Sequence, residues 1–209
     1  HFCMISVMTS EKAINNQVNN KGKIIIISGP SGVGKGSVIK EIIKWSPRLH
    51  VSVSATTRPK REGERHQRDY YFLTDVEFDQ KIQENEFLEW CNVHQHRYGT
   101  IREITEAKLN LNQSVILEVD VQGAKKVMNY CQLHKQDYVS IFIIPPTLET
   151  IRERLYHRQT ESEDIIKTRL KRAKEELDEK GHYQFIIVND CLNDAVKEVQ
   201  EILSERNAC

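Results

Sequence analysis

Short runs of consecutive apolar residues alternate along the chain with longer stretches whose apolar positions recur every three or four residues. The first pattern is typical of strands buried on both faces, and the second of amphipathic helices. Strands are predicted at Ile24–Ser28, His50–Ser54, Ser114–Asp120, Asp137–Ile144 and Tyr183–Asn189. Helices are predicted at Lys35–Trp45, Gln122–Cys131, Leu148–His157, Glu163–Glu179 and Asn193–Glu205. This alternation predicts an α/β fold with a parallel sheet flanked by helices.

Residues 54–100 interrupt the alternation and are predicted to form an insertion beside the sheet. They are rich in Arg, Tyr and Glu, with the strand-like pieces DYYFLT and EFLEWCNV on either side of a helix at Val76–Asn85. The charged stretch Tyr156–Asp164 is typical of a mobile lid between two helices. We therefore expect a core at 23–53 and 101–209, with the lid at about 155–165. Residues 1–22 are expected to be a disordered tail or cloning-derived residues.

Composition narrows the classes of partner. The chain has 209 residues, and its 30 basic side chains balance 30 acidic ones. Electrostatic binding to nucleic acid or anionic lipid through the net charge of the chain is therefore not expected. No apolar run approaches the ~20 residues of a membrane span. The five cysteines are far apart, without metal-ligand spacing, and predict reduced thiols in a cytoplasmic protein. The oligomeric state stays open.

The segment SGPSGVGKGS joins the first strand to the first helix. Its glycines let backbone N–H groups converge on an anion, and the helix adds the positive end of its dipole. Lys35 supplies a charge that can reach the β- and γ-phosphates of a nucleotide. The pattern is that of a phosphate-binding loop, the P-loop, which predicts binding of a nucleoside triphosphate. The loop residues are Gly29, Pro30, Ser31, Gly32, Val33, Gly34, Lys35, Gly36 and Ser37.

A metal ion is expected with the triphosphate, but its protein contacts are left open. Gly36 stands where a magnesium-binding Ser or Thr is usual, and the hydroxyl follows one residue later at Ser37. Magnesium is therefore expected either at Ser37 or through waters and phosphates. Asp120 ends a predicted parallel strand, at the edge where ligands bind, and is a candidate for holding Mg²⁺ through water. The alternative is an ordinary acid at a strand end.

Residues 52–72, SVSATTRPKREGERHQRDYYF, mix basic side chains with acids, hydroxyls and tyrosines. A solvated basic loop, an RNA-binding patch or a nuclear-import signal would not need the acids. A pocket for a phosphorylated small molecule would use arginine forks and tyrosine hydroxyls as donors to the phosphate. We interpret the segment as such a pocket.

Six segments taken together resemble the guanylate kinases: SGPSGVGKGSV, SVSATTRPKREGE…DYYF, NEFLEW, YGT, LEVDVQG and IIVND. The resemblance extends from Lys23 to the last helix. It implies a P-loop NTPase-type fold whose insertion binds GMP and whose lid covers ATP. It also implies the reaction ATP + GMP ⇌ ADP + GDP by direct in-line transfer, with Mg²⁺ as the cofactor of ATP. The GMP-binding positions of the family fall on Ser54, Arg58, Arg61, Tyr70, Glu89, Tyr98, Thr100 and Glu118.

The chemistry of these positions fits the implied substrate. Guanine presents N1–H and N2–H₂ donors beside its O6 acceptor. The Glu89 carboxylate can accept from both donors, whereas adenine offers no such pair. The resemblance also implies catalytic cations around the transferred phosphoryl group, whose spreading charge they would stabilise. These cations are Lys35, Arg58, Arg154, Arg158 and Arg169.

The chain departs from the usual family wording at a few positions. Pro59 comes one place early, Gln67 and Gln159 replace common glycines, and Val121 replaces a frequent Trp. These changes leave the loop geometry open. They remove none of the charges that the reaction needs.

Two alternative functions are kept. One is a non-catalytic guanylate-kinase-like module that binds phosphopeptides, although such modules typically lose the phosphate loop. The other is a P-loop kinase for another monophosphate or a phosphosugar, against which Ser54, Glu89 and Glu118 argue as guanine contacts. Whether dGMP is also a substrate is left open.

Overall fold

The computed structural model describes residues 22–93, 95–157 and 163–209. The strands are β1 (Ile24–Ser28), β2 (Leu49–Val51), β3 (Ala55–Thr56), β4 (Tyr71–Phe72), β5 (Phe87–Val93), β6 (His96–Ile101), β7 (Ser114–Glu118), β8 (Tyr138–Ile144) and β9 (Phe185–Val188). The helices are α1 (Lys35–Ile42), α2 (Asp75–Gln83), α3 (Arg102–Asn110), α4 (Val121–His134), α5 (Leu148–His157), α6 (Glu163–Leu177) and α7 (Leu192–Glu205). A 3₁₀ turn at Asp178–His182 follows α6.

The central sheet has the strand order β2-β7-β1-β8-β9, and each described pair is parallel. Strand β1 lies in the middle, and its four isoleucines are fully buried. Successive side chains of a strand point to opposite faces. Ile25 and Ile27 accordingly pack in a cluster with α1 and α7, while Ile24 and Ile26 pack in a cluster with α4. The predicted α/β fold with a parallel sheet between helices is confirmed.

Several predicted boundaries were wrong by a few residues. Helix α1 ends at Ile42 rather than at Trp45, and β2 runs from Leu49 to Val51 rather than from His50 to Ser54. The continuous helix predicted up to Glu179 gives way to the 3₁₀ turn after Leu177. Helix ends often tighten in this way, because the last carbonyls lack intrahelical partners. The sequence pattern missed α3, which buries only Thr105 and so carries little apolar signal.

A second sheet, with the strand order β4-β3-β6-β5, lies within residues 55–101. Its own small core contains Ala55, Phe78, Phe87 and Ile101. Helix α2 begins with a capping box, in which Thr74 and Glu77 satisfy each other's backbone N–H groups. Gln67, where a glycine is usual in the family, has a left-handed backbone with φ of 66°. The segment is therefore a folded unit with its own packing.

Among the described residues, none of the helices is both long enough and apolar enough to cross a membrane.

Candidate active site

The phosphate loop occupies the turn between β1 and α1. Gly29, Gly32 and Gly34 have φ values of 138°, 86° and 98°, in the region that L residues with side chains rarely adopt. Val33 between them is fully buried and anchors the loop in the core. The sequence therefore needs glycine at these positions for the loop to curl back over the start of the helix.

Lys35 is the first residue of α1 and lines the cleft above the sheet. Its Nζ donates to the Gly29 carbonyl at 2.6 Å and to the Pro30 carbonyl at 3.1 Å. The ammonium thus lies over the loop whose amides would hold a phosphate. Gly36 and Ser37, in the first turn of the helix, are exposed.

Asp120 lies just beyond the end of β7 and is the N-cap of α4. Its Oδ1 accepts from the Gly123 backbone N–H at 2.8 Å and from the Cys91 thiol at 3.4 Å. The residue therefore has a structural role as a cap, and it also lines the same cleft as Lys35. This position is compatible with both hypotheses for Asp120, a contact to Mg²⁺ through water and an ordinary acid at a strand end.

Glu89, on β5, is the buried carboxylate of the second sheet and is only 6% exposed. Its Oε1 accepts from the Thr100 hydroxyl at 2.8 Å. Within the described residues, its buried Oε2 has no hydrogen-bond partner. Burial raises the pKa of Glu89 to about 7. An unsatisfied buried oxygen costs about 1–3 kcal/mol, so this atom is placed to accept from a ligand.

Two tyrosines form the wall beside Glu89. The rings of Tyr70 and Tyr98 meet edge to face, with their centroids 6.0 Å apart. Both rings line the cleft, as does Ser54, whose carbonyl accepts from the Tyr71 backbone N–H at 2.9 Å. Burial raises the pKa of the Tyr70 hydroxyl, which therefore stays a proton donor at neutral pH.

Glu118 connects the two ends of the cleft. It is the last residue of β7 and is exposed. A methyl group built on Gly36 would lie 3.8 Å from Glu118 Oε2, which shows that this carboxylate lies beside the phosphate loop. Its charge adds to burial in raising the pKa of Tyr70.

Arg58 and Arg61 lie in the loop between β3 and β4. The Arg58 Nη2 donates to Glu64 Oε1 at 2.7 Å, and its guanidinium lies over the Tyr70 ring at 5.3 Å from the centroid. The pairing with Glu64 raises the pKa of Arg58. The side chain of Arg61 is exposed.

The arginines predicted to act with the lid occupy different surroundings. Arg154 of α5 donates to the Val33 carbonyl at 3.1 Å and to the Asn189 carbonyl at 2.9 Å. Arg169 of α6 lines the cleft, and its Nη1 donates to Ser31 Oγ at 3.4 Å. Arg158 lies outside the described residues.

Ten of the predicted residues line one cleft of about 580 Å³. The predicted residues that line it are Gly29, Ser31, Lys35, Ser54, Tyr70, Glu89, Tyr98, Glu118, Asp120 and Arg169. The described predicted residues outside this lining are Pro30, Gly32, Val33, Gly34, Gly36, Ser37, Arg58, Arg61, Thr100 and Arg154. Thr100 lies behind Glu89 as its hydrogen-bond donor.

Sequence reasoning missed two cleft residues on α6, Arg172 and Glu176. They follow Arg169 at i+3 and i+7, a spacing that puts all three on one face of a helix and could have identified them. Burial raises the pKa of Glu176, while Lys35 and Arg172 oppose that rise. Arg68 and Asp69, within the segment that we interpret as a pocket, also line the cleft, as does Cys91, although none of the three was named as a site residue.

The donor set fits a magnesium–nucleotide complex better than a metal held by the protein alone. Among the described residues, no group of three or more His, Cys, Asp or Glu side chains could form a metal site. Mg²⁺ is usually held by one or two carboxylates together with waters and substrate phosphates. Asp120, in the cleft lining with Lys35, offers a carboxylate of that kind.

Comparisons with known proteins agree with this geometry. The family model described as guanylate kinase matches residues 21–206. The chain is 44% identical to a guanylate kinase from Malacoplasma penetrans over 189 residues, covering 90% of this chain and 95% of the relative. It is 42% identical to a guanylate kinase from Thermotoga maritima over 191 residues, covering 90% of this chain and 89% of the relative. The crystal structure of guanylate kinase from Anaplasma phagocytophilum superposes with a TM-score of 0.74 at 29% identity, covering 91% of this chain and 88% of that chain. The chain belongs to the guanylate kinase family.

Proposed function

We propose that this chain is a guanylate kinase that transfers the γ-phosphoryl group of ATP directly to GMP, giving ADP and GDP. The observation that carries this proposal is a single cleft with a glycine phosphate loop at one end and an open buried carboxylate oxygen, on Glu89, at the other. The first feature suits a triphosphate and the second suits a base with paired N–H donors.

Guanine recognition centres on Glu89. Thr100 holds one carboxylate oxygen, so the other points to the ligand with its orientation fixed. Guanine N1–H and N2–H₂ lie side by side and both can donate to this carboxylate, whereas adenine has an acceptor at N1. Adenine would leave the buried carboxylate unsatisfied, and such sites reject the analogue that lacks the donor. Ser54 and Glu118 border the same cavity and are proposed to complete the base contacts.

The GMP phosphate is assigned to the arginine and tyrosine side chains of the second sheet. Tyr70 and Tyr98 present hydroxyls from the cleft wall, and Arg58 stacks against Tyr70. Arg61 is exposed on the same loop. Guanidinium forks and phenol hydroxyls match a dianionic phosphate. This arrangement would aim a phosphate oxygen of GMP toward the phosphate loop.

The triphosphate is assigned to the loop from Gly29 to Ser37. Its amides and Lys35 would hold the β- and γ-phosphates, while Arg169 and Arg172 approach from α6. Arg154 and Arg158 are proposed to join them when the lid closes. Cations placed around the γ-phosphoryl group stabilise the charge that spreads over its oxygens during transfer.

The chemical step needs no covalent intermediate. An oxygen of the GMP phosphate bonds to the γ-phosphorus of ATP as the bond from that phosphorus to the β,γ-bridging oxygen breaks. The second pKa of a phosphate monoester is about 6, so the attacking oxygen is mostly ionised at neutral pH without a general base. Catalysis would therefore come from positioning by the two halves of the cleft, from the positive charges around the transferred group and from exclusion of water.

Magnesium would be held with ATP at the Asp120 side of the cleft. When bound, it supplies positive charge that neutralises the phosphate oxygens. Asp120 already accepts from Gly123 and Cys91 through Oδ1, which fixes its carboxylate for a contact through water. Ser37 is exposed in the first turn of α1 and is assigned to the metal only through water.

The two alternative functions are less well supported. A phosphopeptide-binding module needs no phosphate loop, yet this chain keeps its left-handed glycines and Lys35. A kinase for another monophosphate or a phosphosugar has no use for the open carboxylate of Glu89.

A coupled ADP-release assay with GMP, dGMP, AMP, CMP and UMP as acceptors tests the proposal. Turnover is expected with GMP and not with AMP, CMP or UMP, and the dGMP rate will show whether the 2′-hydroxyl is needed. Equal turnover of AMP and GMP would contradict the assignment of Glu89. ADP release with none of the five would support the phosphopeptide module instead.

A further inference from the structure

Glu64 lies between the two arginines that we assign to the GMP phosphate. Its Oε1 accepts from Arg58 Nη2 at 2.7 Å, and its Oε2 accepts from the Arg61 backbone N–H at 2.8 Å. The side chains of Arg58 and Glu64 are only 11% and 20% exposed. This is therefore a shielded, charge-assisted contact, unlike a fully solvated surface ion pair, which contributes little.

Further contacts fix the Arg58 guanidinium in one plane. Its Nη1 donates to the Pro59 carbonyl at 2.9 Å. The central guanidinium carbon, Cζ, lies 5.3 Å from the centroid of the Tyr70 ring and 5.7 Å from that of the Phe72 ring. The backbone N–H of Arg58 donates to Thr56 Oγ1 at 3.1 Å. Glu64 is thus the acidic member of a set of contacts that hold Arg58 before any ligand enters.

We propose that Glu64 is a positioning residue, which fixes the Arg58 fork with one oxygen and the turn at Arg61 with the other, so that the phosphate subsite is formed in advance. The proposal rests on the proposed function, because the phosphate contacts of Arg58 and Arg61 belong to it. Arg and Lys side chains lose much rotamer freedom on binding, and a group held in place beforehand avoids that cost. Partners behind a ligand-binding side chain commonly act in this way at metal sites.

If Glu64 acted only through its charge, its removal would change the affinity for GMP in the opposite direction. A carboxylate close to a phosphate dianion repels it, so removing the charge alone would tighten GMP binding. If Glu64 positions the arginines, neutralising it weakens GMP binding instead. The direction of the change therefore separates the two roles.

The experiment compares Glu64→Gln, Glu64→Asp and the matched control Glu62→Gln, which removes an exposed charge from the same loop. Steady-state kinetics would give kcat, the KM for GMP and the KM for ATP. Guanosine, which lacks the phosphate, would be tested as a competitive inhibitor against GMP. Glu64→Gln is expected to raise the KM for GMP on the order of tenfold, as for loss of a hydrogen bond to a charged group. The KM for ATP and the guanosine inhibition constant should stay unchanged, and Glu64→Asp should recover part of the loss.

Arg58→Lys separates failure of this inference from failure of the proposed function. If Arg58→Lys weakens GMP binding but Glu64→Gln leaves it unchanged or tightens it, the positioning role is overturned and the phosphate subsite stands. If Arg58→Lys has no effect on the KM for GMP, the phosphate subsite itself is misplaced, and the positioning role falls with it. Should thermal melts show that Glu64→Gln does not fold, Glu64→Asp combined with Arg58→Lys gives the coupling in a double-mutant cycle. Strict additivity in that cycle would overturn the role.

Discussion

The two ends of the cleft are built by different means. At the phosphate loop the shape comes from the backbone, since Gly29, Gly32 and Gly34 have left-handed φ values and the loop leaves a fully buried strand. At the second sheet the shape comes from side-chain pairs, chiefly Glu89 with Thr100 and Arg58 with Glu64.

This difference matches what each end has to recognise. Backbone amides bind a phosphate whichever nucleotide carries it, whereas a buried carboxylate with one open oxygen distinguishes one base edge from another. A substitution in the loop should therefore affect stability and the common phosphate chemistry. A substitution in the second sheet should affect one ligand and leave the other end intact.

The largest effect is expected from Lys35→Met. We assign the ammonium to the transferred group, so its loss should lower kcat by about 10²–10³-fold, the scale of a lost transition-state contact. Affinity for GMP, measured by titration calorimetry without ATP, should stay within about twofold because we assign that ligand to the other end. Near-normal turnover would refute the assignment of the loop.

Lys40→Met is the matched control. Lys40 lies five residues further along α1 and is exposed. It should keep the wild-type kcat. Because Lys35 also donates to the Gly29 and Pro30 carbonyls, thermal melts of both variants are needed to separate a loosened loop from lost chemistry.

The next effect, at the side-chain end, is expected from Glu89→Gln. An amide cannot accept from both guanine donors, so GMP binding should weaken by about 1–3 kcal/mol, or roughly 5–150-fold in KM. The KM for ATP should not change. A shift in both constants would show that the two ends are coupled, and an unchanged KM for GMP would remove Glu89 from the site.

Two glycine substitutions compare backbone strain at the two ends. At Gly34, with φ of 98°, an added Cβ would lie 2.5 Å from Asn189 Nδ2, which donates to the Val33 carbonyl. At Gly63, with φ of 82°, an added Cβ meets nothing within 4 Å. Gly63→Ala should therefore cost about 1 kcal/mol of unfolding free energy from the left-handed backbone alone. Gly34→Ala should cost about 2–3 kcal/mol, because it adds the loss of a buried hydrogen bond. Equal losses in urea unfolding would show that the Asn189 hydrogen bond beside Gly34 adds nothing to the cost of the left-handed backbone.

The same difference explains how much the sequence could predict. A backbone site leaves a local signature, so the glycine spacing, the apolar strand β1 and the start of α1 at Lys35 are all readable from neighbouring residues. The parallel sheet is readable as well, because strands buried on both faces are apolar throughout.

A side-chain site depends on partners that are distant in sequence. The Thr100 hydroxyl meets Glu89 only because β5 and β6 pair antiparallel. Arg154 donates to the carbonyls of Val33 and Asn189, 121 and 35 residues away. The family resemblance named these residues, but tertiary packing decides which of them face the cleft. That packing places Arg172 there and leaves the paired Arg58 outside its lining.

The smallest expected effect on ligand binding is a pH dependence confined to the side-chain end. Burial and the nearby Asp120 raise the pKa of Glu89 to about 7, while Thr100 and Lys126 oppose that rise. Guanine binds to the ionised carboxylate. As the pH falls through the pKa, a growing fraction of ligand-free molecules carries a proton on Glu89, and this proton must leave before guanine can bind. Affinity should therefore fall on the acid side, by roughly tenfold between about pH 7.5 and pH 6.

Guanosine is the suitable probe, because the phosphate of GMP itself has a second pKa of about 6 and would titrate over the same range. Its inhibition constant should rise toward acid pH in the wild type and stay flat in Glu89→Gln. If the inhibition constant of the wild type did not change with pH, Glu89 would already be ionised in the empty cleft. The contact with Thr100 would then form the base site in advance, as the glycine backbone forms the phosphate loop in advance.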